Sequence, residues 1–138
     1  MMRAHRFTLA DGDPNALFLL HRMLARLYPG SHISMFSAAE DALAQILDSG
    51  TDLLITNHGV GQLSGTDLIR ELRVRGYAIP IIMISGSADG RREAMDAGAT
   101  RFLDKRAAPR VFEAHIRAAV EVSDRASSRP GPKRSVAR

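Results

Sequence analysis

The sequence predicts an α/β fold in which five strands and five helices alternate, (βα)5, around one parallel sheet that is covered by helices on both faces. Short apolar runs alternate along the chain with longer stretches of helical period. Consecutive apolar residues, as in the segment 81–84, are typical of strands that are buried on both faces. The 138 residues suit one domain, and 45% hydrophobic with 25% charged residues is the composition of a globular protein.

The five predicted strands are the short apolar runs, which are residues 7–10, 33–36, 53–56, 79–84 and 102–103. Right-handed crossovers and one reversal of strand order then give an open, doubly wound, five-stranded parallel sheet in a three-layer architecture. In such a sheet the site of binding or reaction lies beyond the carboxyl ends of the strands. The residues that directly follow each strand are therefore the first candidates for function.

The first two helices are predicted from their ends as well as from their apolar stripes. Asp13 before a proline is a good N-cap, and Pro29–Gly30 ends the first helix. Ser37 and Glu40 have the spacing of a capping box for the second helix, which Ser49–Gly50 closes. The apolar stripes are Leu17, Leu20, Leu24 and Leu27 in the first helix, and Ala39, Ala42, Leu43, Ile46 and Leu47 in the second.

The other three helices are predicted in the same way. The third ends near Gly76, and the fourth covers residues 87–97 with Gly98 just past its end. The fifth begins at Pro109, a residue that suits the first helical position. The apolar stripes are Leu68, Ile69 and Leu72 in the third helix, and Phe112, Ile116, Ala119 and Val120 in the fifth.

The positive charge of the chain is concentrated at its end. Residues 123–138 hold five of the 19 basic residues and one of the 15 acidic residues, which leaves 14 of each sign in residues 1–122. We therefore expect a folded domain over residues 1–122 and a basic, disordered tail over 123–138. The tail is either a weak electrostatic handle for acidic partners or nucleic acid, or a solubilising end, and we favour the second interpretation.

Composition also excludes several kinds of site. The absence of cysteine excludes disulfides, thiolate metal sites and cysteine nucleophiles. The first apolar run is too short for a signal peptide, and no stretch approaches the roughly 20 apolar residues that span a membrane. The sequence therefore predicts a cytoplasmic protein that does not interact with membranes.

Four sequence motifs lie at the ends of the predicted strands. They are Leu-Ala-Asp-Gly-Asp-Pro (9–14), Asp-Leu-Leu-Ile-Thr-Asn (52–57) with Gly65 downstream, Ile-Ile-Met-Ile-Ser-Gly (81–86) and Ala-Gly-Ala-Thr-Arg-Phe-Leu-Asp-Lys (97–105). In this order and spacing the motifs resemble the receiver domain of bacterial two-component response regulators. The resemblance extends from residue 7 to about residue 122, and it implies a flavodoxin-like fold.

The resemblance implies a role for each of these positions. In that family, acidic side chains hold Mg²⁺, an aspartate after the third strand accepts a phosphoryl group, and a hydroxyl and a lysine hold the product. Asp11, Asp13, Ser85 and Lys105 match the family, but Asn57 stands at the phosphoacceptor position, where a neutral amide has no anionic oxygen to attack phosphorus. The sequence therefore predicts an atypical pseudo-receiver with a degenerate pocket, and not an enzyme.

The remaining pocket residues are expected to bind Mg²⁺ at most weakly, and no other cofactor is expected. Gly12 replaces the acid that would approach the metal, so Asp11 and Asp13 are the candidate ligands if a cation binds at all. Lys105 and Asp11 are expected to face each other, either as a retained phosphate site or as an ion pair that substitutes for the metal, and we favour the ion pair. Ser85 is either the switch hydroxyl of the family or a local cap.

Two loops differ in sequence from those of the receiver-domain family. Arg106 stands where the family has a proline after a cis peptide bond. Because a cis bond before another residue costs about 3 kcal/mol, we predict a trans bond and a differently shaped loop. The loop 58–61 has glycine where the family usually has proline, and we expect it to be more mobile. Phe102 matches an aromatic position that lines the family's partner-binding face, or it is part of the core.

These observations predict a receiver-like protein that acts in phosphorelay signalling by binding another protein, without phosphorylation at Asn57. The expected partners are a histidine kinase, a phosphotransfer protein or another receiver, with a homodimer as a further option. Phe102 and Arg106 are the candidate residues of the partner-binding face. The alternatives are phosphorylation at Asp11 or Asp13, and weak nucleic-acid binding through the tail.

Overall fold

A computed structural model describes residues 4–59, 62–88 and 90–127 of the chain. Its five strands are β1 (Arg6–Ala10), β2 (His32–Phe36), β3 (Leu53–Asn57), β4 (Ile81–Ser85) and β5 (Arg101–Asp104). Its five helices are α1 (Pro14–Leu27), α2 (Ala39–Ser49), α3 (Gly65–Val74), α4 (Gly90–Ala97) and α5 (Pro109–Ser127). The predicted alternation of strands and helices is confirmed. None of the helices over these residues is long and apolar enough to cross a membrane.

The sheet is parallel throughout, with the strand order β2-β1-β3-β4-β5. The order reverses at β1, because the chain first moves to β2 on one side and then to β3 on the other. The carboxyl ends of β1 and β3 therefore lie next to each other, with Ala10 paired with Thr56. This doubly wound, flavodoxin-like arrangement confirms the predicted fold class and places the residues after β1 and β3 at the switch point.

Helices cover both faces of the sheet, as the three-layer prediction requires. Residues of α1 and α5 form one apolar layer with the strands, and residues of α2, α3 and α4 form the other. The first layer includes Phe7, Leu24, Ile55, Ile82 and Ile116. The second layer includes Ala42, Ile46, Leu54, Ile69, Leu72, Met83 and Ala94. Because every strand contributes to both layers, the consecutive apolar residues seen in the sequence are explained.

The helix ends agree with the sequence prediction in α1 but not in α2. The Asp13 carboxylate caps α1 and accepts a hydrogen bond from the backbone N–H of Asn15 at 2.9 Å. The predicted capping box of Ser37 and Glu40 is wrong, because α2 begins only at Ala39 and has Ala38 as its N-cap, without a side-chain bond. Ser37 is one position too early to be the cap.

Glu40 has a different role from the predicted one, and a capping box that was not predicted is present in another helix. The Glu40 carboxylate accepts hydrogen bonds from the backbone N–H groups of Gln62 and Leu63 at 3.4 Å, so it links α2 to the loop before α3. Backbone N–H groups, first its own and then those of Leu63 and Gln62, lower the pKa of Glu40. A capping box is present at the start of α3, where the side chains of Ser64 and Asp67 each accept a hydrogen bond from the other residue's backbone N–H.

The last helix extends beyond the predicted domain boundary at residue 122. Helix α5 continues to Ser127, and Ser123 is buried. The carboxylate of Asp124 lies 3.0 Å from Nε2 of His5, a side chain that precedes β1 and stacks on Phe7. The first residues of the expected tail are therefore an integral part of the domain. Residues 128–138, which hold the rest of that tail, lie outside the described residues.

Candidate functional site

The side chains of Asp11 and Asn57 meet at the switch point of the sheet. Nδ2 of Asn57 donates a hydrogen bond to Oδ1 of Asp11 at 3.2 Å, and Oδ1 of Asn57 accepts one from the backbone N–H of Gly59 at 2.7 Å. The amide therefore acts as donor on one side and acceptor on the other. An ionised aspartate could accept the second bond but could not donate the first.

The Asp11 carboxylate is buried, with only 4% of the residue exposed. Its Oδ1 also accepts a hydrogen bond from the backbone N–H of Asp13 at 2.9 Å. Two donors therefore satisfy the oxygen that faces the pocket. The predicted ion pair with Lys105 is not formed: within the described parts of the chain, no cation lies within 4.0 Å of this carboxylate. Lys105 is exposed, and the donors to the Asp11 carboxylate are the Asn57 amide and the backbone N–H of Asp13.

The set of oxygen ligands at the pocket is poor for a divalent cation. Among the described residues, Asp11 is the one buried carboxylate, Oδ1 of Asp13 caps α1, and residue 12 is a glycine. A side chain at Gly12 would meet only a backbone oxygen of Gly59, at 3.9 Å from its Cβ, so packing does not force the glycine. Over the described residues, no three or more His, Cys, Asp or Glu side chains are placed to hold a metal ion.

Ser85 and Lys105 reach the same edge of the sheet from β4 and β5. Oγ of Ser85 accepts a hydrogen bond from the backbone N–H of Ser87 at 3.1 Å, a contact within the loop before α4. The backbone N–H of Lys105 donates to the carbonyl oxygen of Ser85 at 2.9 Å. The hydroxyl of Ser85 thus shapes its own loop, which favours the interpretation as a local cap.

The loop after β5 is held by an ion pair that the sequence did not predict. Nε and Nη2 of Arg106 donate to the two carboxylate oxygens of Asp104 at 3.0 and 2.9 Å, and the backbone N–H of Arg106 donates at 2.8 Å. Hydrogen bonds from Arg106 lower the pKa of Asp104 to about 2. The Lys105–Arg106 peptide bond is trans, as predicted. Arg106 therefore binds the end of β5 through an ion pair with Asp104, at the position where the family has a proline.

The loop after β3 contacts α4 through His58. Nε2 of His58 lies 3.5 Å from Oε1 of Glu93, and both side chains are about half exposed. Residues 60–61, on which the prediction of a more mobile loop depends, lie outside the described residues. His58 therefore adds a contact between neighbouring elements at the rim of the pocket.

A groove of about 450 Å³ lies on the face formed by α4, β5 and α5. Phe102 is 6% exposed and forms part of its floor, so it is packed in the core and does not present an open surface. The guanidinium of Arg91 lies over the Phe102 ring, 5.0 Å from the ring centroid. Phe102 therefore belongs to the core, and its place on a partner-binding face stays a prediction.

The same groove contains a pair that the sequence analysis missed. Nη1 of Arg101 lies 3.1 Å from Nδ1 of His115, and both residues line the groove. Burial and the charge of Arg101 lower the pKa of His115. The two residues are 14 positions apart, on β5 and α5, and no motif connects them in the sequence.

The pair predicts a pH dependence of stability. Since the pKa of His115 is lower in the folded protein than its ordinary value of 6.5, the unfolded chain binds the proton more readily. The free energy of unfolding is therefore expected to be at its full value above about pH 6.5 and to fall as the pH decreases below it. His115→Gln should flatten this decrease in urea unfolding between pH 7.5 and 5. The matched control is His32→Gln, at an exposed position, and an equal flattening there would contradict the assignment.

Comparison with known proteins places this geometry in context. A family model described as the response regulator receiver domain matches residues 7–117. The two-component response regulator PhoP of Pseudomonas aeruginosa is 33% identical over 90 residues, which are 63% of this chain and 40% of PhoP. The response regulator protein TodT of Pseudomonas putida is 31% identical over 123 residues, 88% of this chain and 53% of TodT. The chain thus spans about half the length of these relatives or less.

The solved structures agree on the fold. The crystal structure of a response regulator receiver domain protein (CheY-like) from Methanospirillum hungatei JF-1 superposes with a TM-score of 0.80 at 20% identity. The match covers 90% of this chain and 99% of that chain. At this identity the likeness concerns the fold alone.

Proposed function

Because the chain belongs to the response regulator receiver domain family, we propose that it serves two-component signalling as a protein-binding module that accepts no phosphoryl group at Asn57. One observation carries the proposal: the Asn57 amide donates to Asp11 and accepts from Gly59. An acyl phosphate requires an anionic oxygen that attacks phosphorus, and the amide oxygen is neutral and already accepts a hydrogen bond. A switch based on charge at this position is therefore absent.

The neighbouring acids are poor substitutes for the missing nucleophile. Asp11 is buried, and its Oδ1 accepts hydrogen bonds from Asn57 and from the backbone of Asp13. Phosphorylation of Asp13 would replace the charged carboxylate that caps α1 by a neutral acyl oxygen, which is a weaker acceptor. Both contacts favour a pocket that has no phosphoacceptor. Weak Mg²⁺ binding belongs to the same proposal, because one buried carboxylate offers too little negative charge to replace the water ligands of the ion.

The partners we propose are those of a receiver domain: a histidine kinase, a phosphotransfer protein, another receiver or a second copy of the chain. Two surfaces carry exposed apolar side chains that suit such contacts. Phe18 and Leu19 are exposed on α1, and Met95 and Val111 are exposed beside the groove of α4, β5 and α5. Nucleic-acid binding through the basic tail depends on residues 128–138, and none of the described contacts favours it.

Incubation of the full chain with acetyl phosphate and Mg²⁺ is expected to leave it unmodified, because Asn57 has no anionic oxygen and the carboxylates of Asp11 and Asp13 are engaged in hydrogen bonds. Intact-mass spectrometry measures the result, and a typical receiver domain treated in parallel controls for the reactivity of the reagent. A stoichiometric increase by the mass of one phosphoryl group would overturn the proposal. In that case Asp11→Asn and Asp13→Asn would identify which acid carries the adduct.

A further inference from the structure

A small cavity lies at the amino ends of β1 and β2, beside the end of α2. Its volume is about 100 Å³, which is room for roughly three water molecules. The polar side chains among its lining residues are those of Arg6, Thr8, His32, Ser34 and Gln45. Asp11 and Asn57 lie at the carboxyl ends of the strands. The cavity is therefore at the opposite end of the sheet from the candidate functional site.

The sheet face under α2 is polar at this end and apolar at the other. The register pairs Arg6 with His32 and Thr8 with Ser34 on the neighbouring strands. Because side chains alternate along a strand, these four project from the same face as Ala10, which packs in the apolar layer with α2. Strand residues that a helix covers are normally apolar. The polar end of this face is therefore not explained by the packing of the core.

Most of the polar side chains around the cavity lack a partner. No hydrogen bond or ion pair to a described residue is formed by the side chains of Arg6, His32, Ser34 and Gln45. The hydroxyl of Thr8 is engaged, since it donates to Oγ1 of Thr51 at 2.8 Å. Ser34 and Gln45 are only partly exposed. Polar groups in such positions normally have partners, so an occupant of the cavity is needed to supply them.

The cavity has a positive charge. The guanidinium of Arg6 has no described carboxylate within 4.0 Å. The carboxylate of Asp52 accepts a hydrogen bond from the backbone N–H of Arg6 at 2.8 Å, and Asp52 does not line the cavity. When His32 is protonated, two like charges stand opposite each other on adjacent strands, which is unfavourable. An anion between Arg6 and His32 would remove this repulsion.

We infer that this cavity binds a small oxyanion of the size of phosphate. A guanidinium forms paired hydrogen bonds with such an ion, and the hydroxyl of Ser34 and the amide of Gln45 offer further donors. The volume is far below the roughly 300 to 1,000 Å³ of sites for larger ligands. Because Arg6 and His32 are exposed, the cavity is accessible from solvent. The ligand is therefore either the free phosphate ion or the phosphate group of a small monoester whose remainder lies in solvent.

NMR titration of the full, isotope-labelled chain with sodium phosphate at constant ionic strength tests this site. Amide signals at the starts of β1 and β2, and the side-chain amide of Gln45, are expected to shift and to saturate with a dissociation constant of about 1 mM or below. A second titration uses glycerol phosphate. Equal or tighter binding of the ester identifies a phosphomonoester as the ligand, and weaker binding identifies the free ion. Equal shifts with sodium chloride, or no saturation by about 20 mM phosphate, would overturn the inference.

Variants locate the binding groups. Arg6→Gln is expected to raise the dissociation constant for phosphate at least about tenfold, and its exposed position leaves the core untouched. Gln45→Leu removes the amide at a similar volume and should also weaken binding. Thermal melting without phosphate checks that both variants are folded. The matched control is Arg22→Gln, an exposed arginine of α1 that does not line the cavity. An equal loss of affinity in Arg22→Gln would indicate unspecific attraction and contradict the assignment.

The pocket at the carboxyl ends of the strands is the other place where phosphate could bind. Lys105→Gln removes the cation of that pocket and is expected to leave the affinity for phosphate unchanged. Loss of binding in this variant, with shifts at Ser85 in place of those in β1 and β2, would move the ion to that pocket and overturn the inference. The proposed function is tested separately. A phosphoryl adduct in the mass measurement would overturn that function and leave this cavity unaffected.

Discussion

Replacing Asn57 with aspartate is expected to lower the free energy of unfolding by about 2 kcal/mol in the absence of divalent cations. The variant loses the hydrogen bond from Nδ2 of Asn57 to Oδ1 of Asp11, which joins the two side chains at 3.2 Å. It also places a second carboxylate beside Asp11, which is 4% exposed and therefore poorly screened by solvent. In the natural chain an amide stands where the family has an acid, and Oδ1 of Asp11 accepts hydrogen bonds from this amide and from the backbone of Asp13.

Magnesium should reverse this loss in the variant. Two adjacent carboxylates form the kind of oxygen site that a hard divalent cation prefers, and a ligand that binds only the folded state stabilises it. Urea unfolding of both proteins with EDTA and with Mg²⁺ measures the effect. We expect a clear increase in stability with Mg²⁺ for Asn57→Asp and little change for the natural chain.

The control for this experiment is Asn15→Asp. Asn15 is exposed in the first turn of α1, where an added negative charge is favourable for the helix. This variant makes the same chemical change without a neighbouring buried acid, so neither a loss of stability nor a response to Mg²⁺ is expected. If Asn57→Asp were as stable as the natural chain in EDTA, the role assigned to the amide would be incorrect.

The second large effect is expected for Gly65→Ala, which should destabilise the fold by about 3 kcal/mol or more. A Cβ at this position would lie 2.1 Å from the carbonyl oxygen of Asn57, 3.0 Å from its carbonyl carbon and 3.1 Å from Oγ1 of Thr56. Hydrogen bonds hold the backbone on both sides of the contact. The N–H of Gly65 donates to the carbonyl of His58 at 2.7 Å, and the carbonyl of Asn57 accepts from Oγ1 of Thr56 at 3.0 Å. Helix α3 can approach the end of β3 this closely only through a glycine.

Gly90→Ala is the matched control for the packing effect. A Cβ there would lie 3.9 Å from the ring of Phe102 and 4.0 Å from Oγ of Ser85, which are ordinary contacts. Alanine in the first turn of α4 is expected to change stability by less than about 1 kcal/mol. Chemical or thermal unfolding of both variants measures the difference in their stability. Similar midpoints for Gly65→Ala and Gly90→Ala would mean that α3 moves away from β3 without penalty.

The order of elements and most of their ends could be predicted because their signals are local. A run of apolar residues, a proline after Asp13 and a glycine after a helix depend on neighbours in sequence. Local patterns can also mislead, as the spacing of Ser37 and Glu40 shows. The same spacing occurs in Ser64 and Asp67, where the cap is real. What distinguishes the two places is where the helix starts, and this is decided by how its apolar face packs on the sheet.

Contacts between distant residues could not be predicted in this way. The ion pair expected between Lys105 and Asp11 is absent among the described residues; Lys105 is exposed, and the Asn57 amide donates to the carboxylate instead. The pair of Arg101 and His115 is formed because α5 docks beside β5. These outcomes depend on side-chain direction and on the docking of helices, neither of which a local pattern encodes.

The sequence by itself determined two things about this protein. One is the (βα)5 fold, because hydrophobic periodicity specifies which faces must be buried. The other is the neutral side chain of Asn57, because the identity of a residue decides its charge wherever it lies. Only the tertiary structure decided that this amide bonds to Asp11, that Gly65 lies against the Asn57 backbone, and that Arg101 contacts His115. Each of these depends on distances of a few ångströms between elements, and such distances exist only after the helices have packed on the sheet.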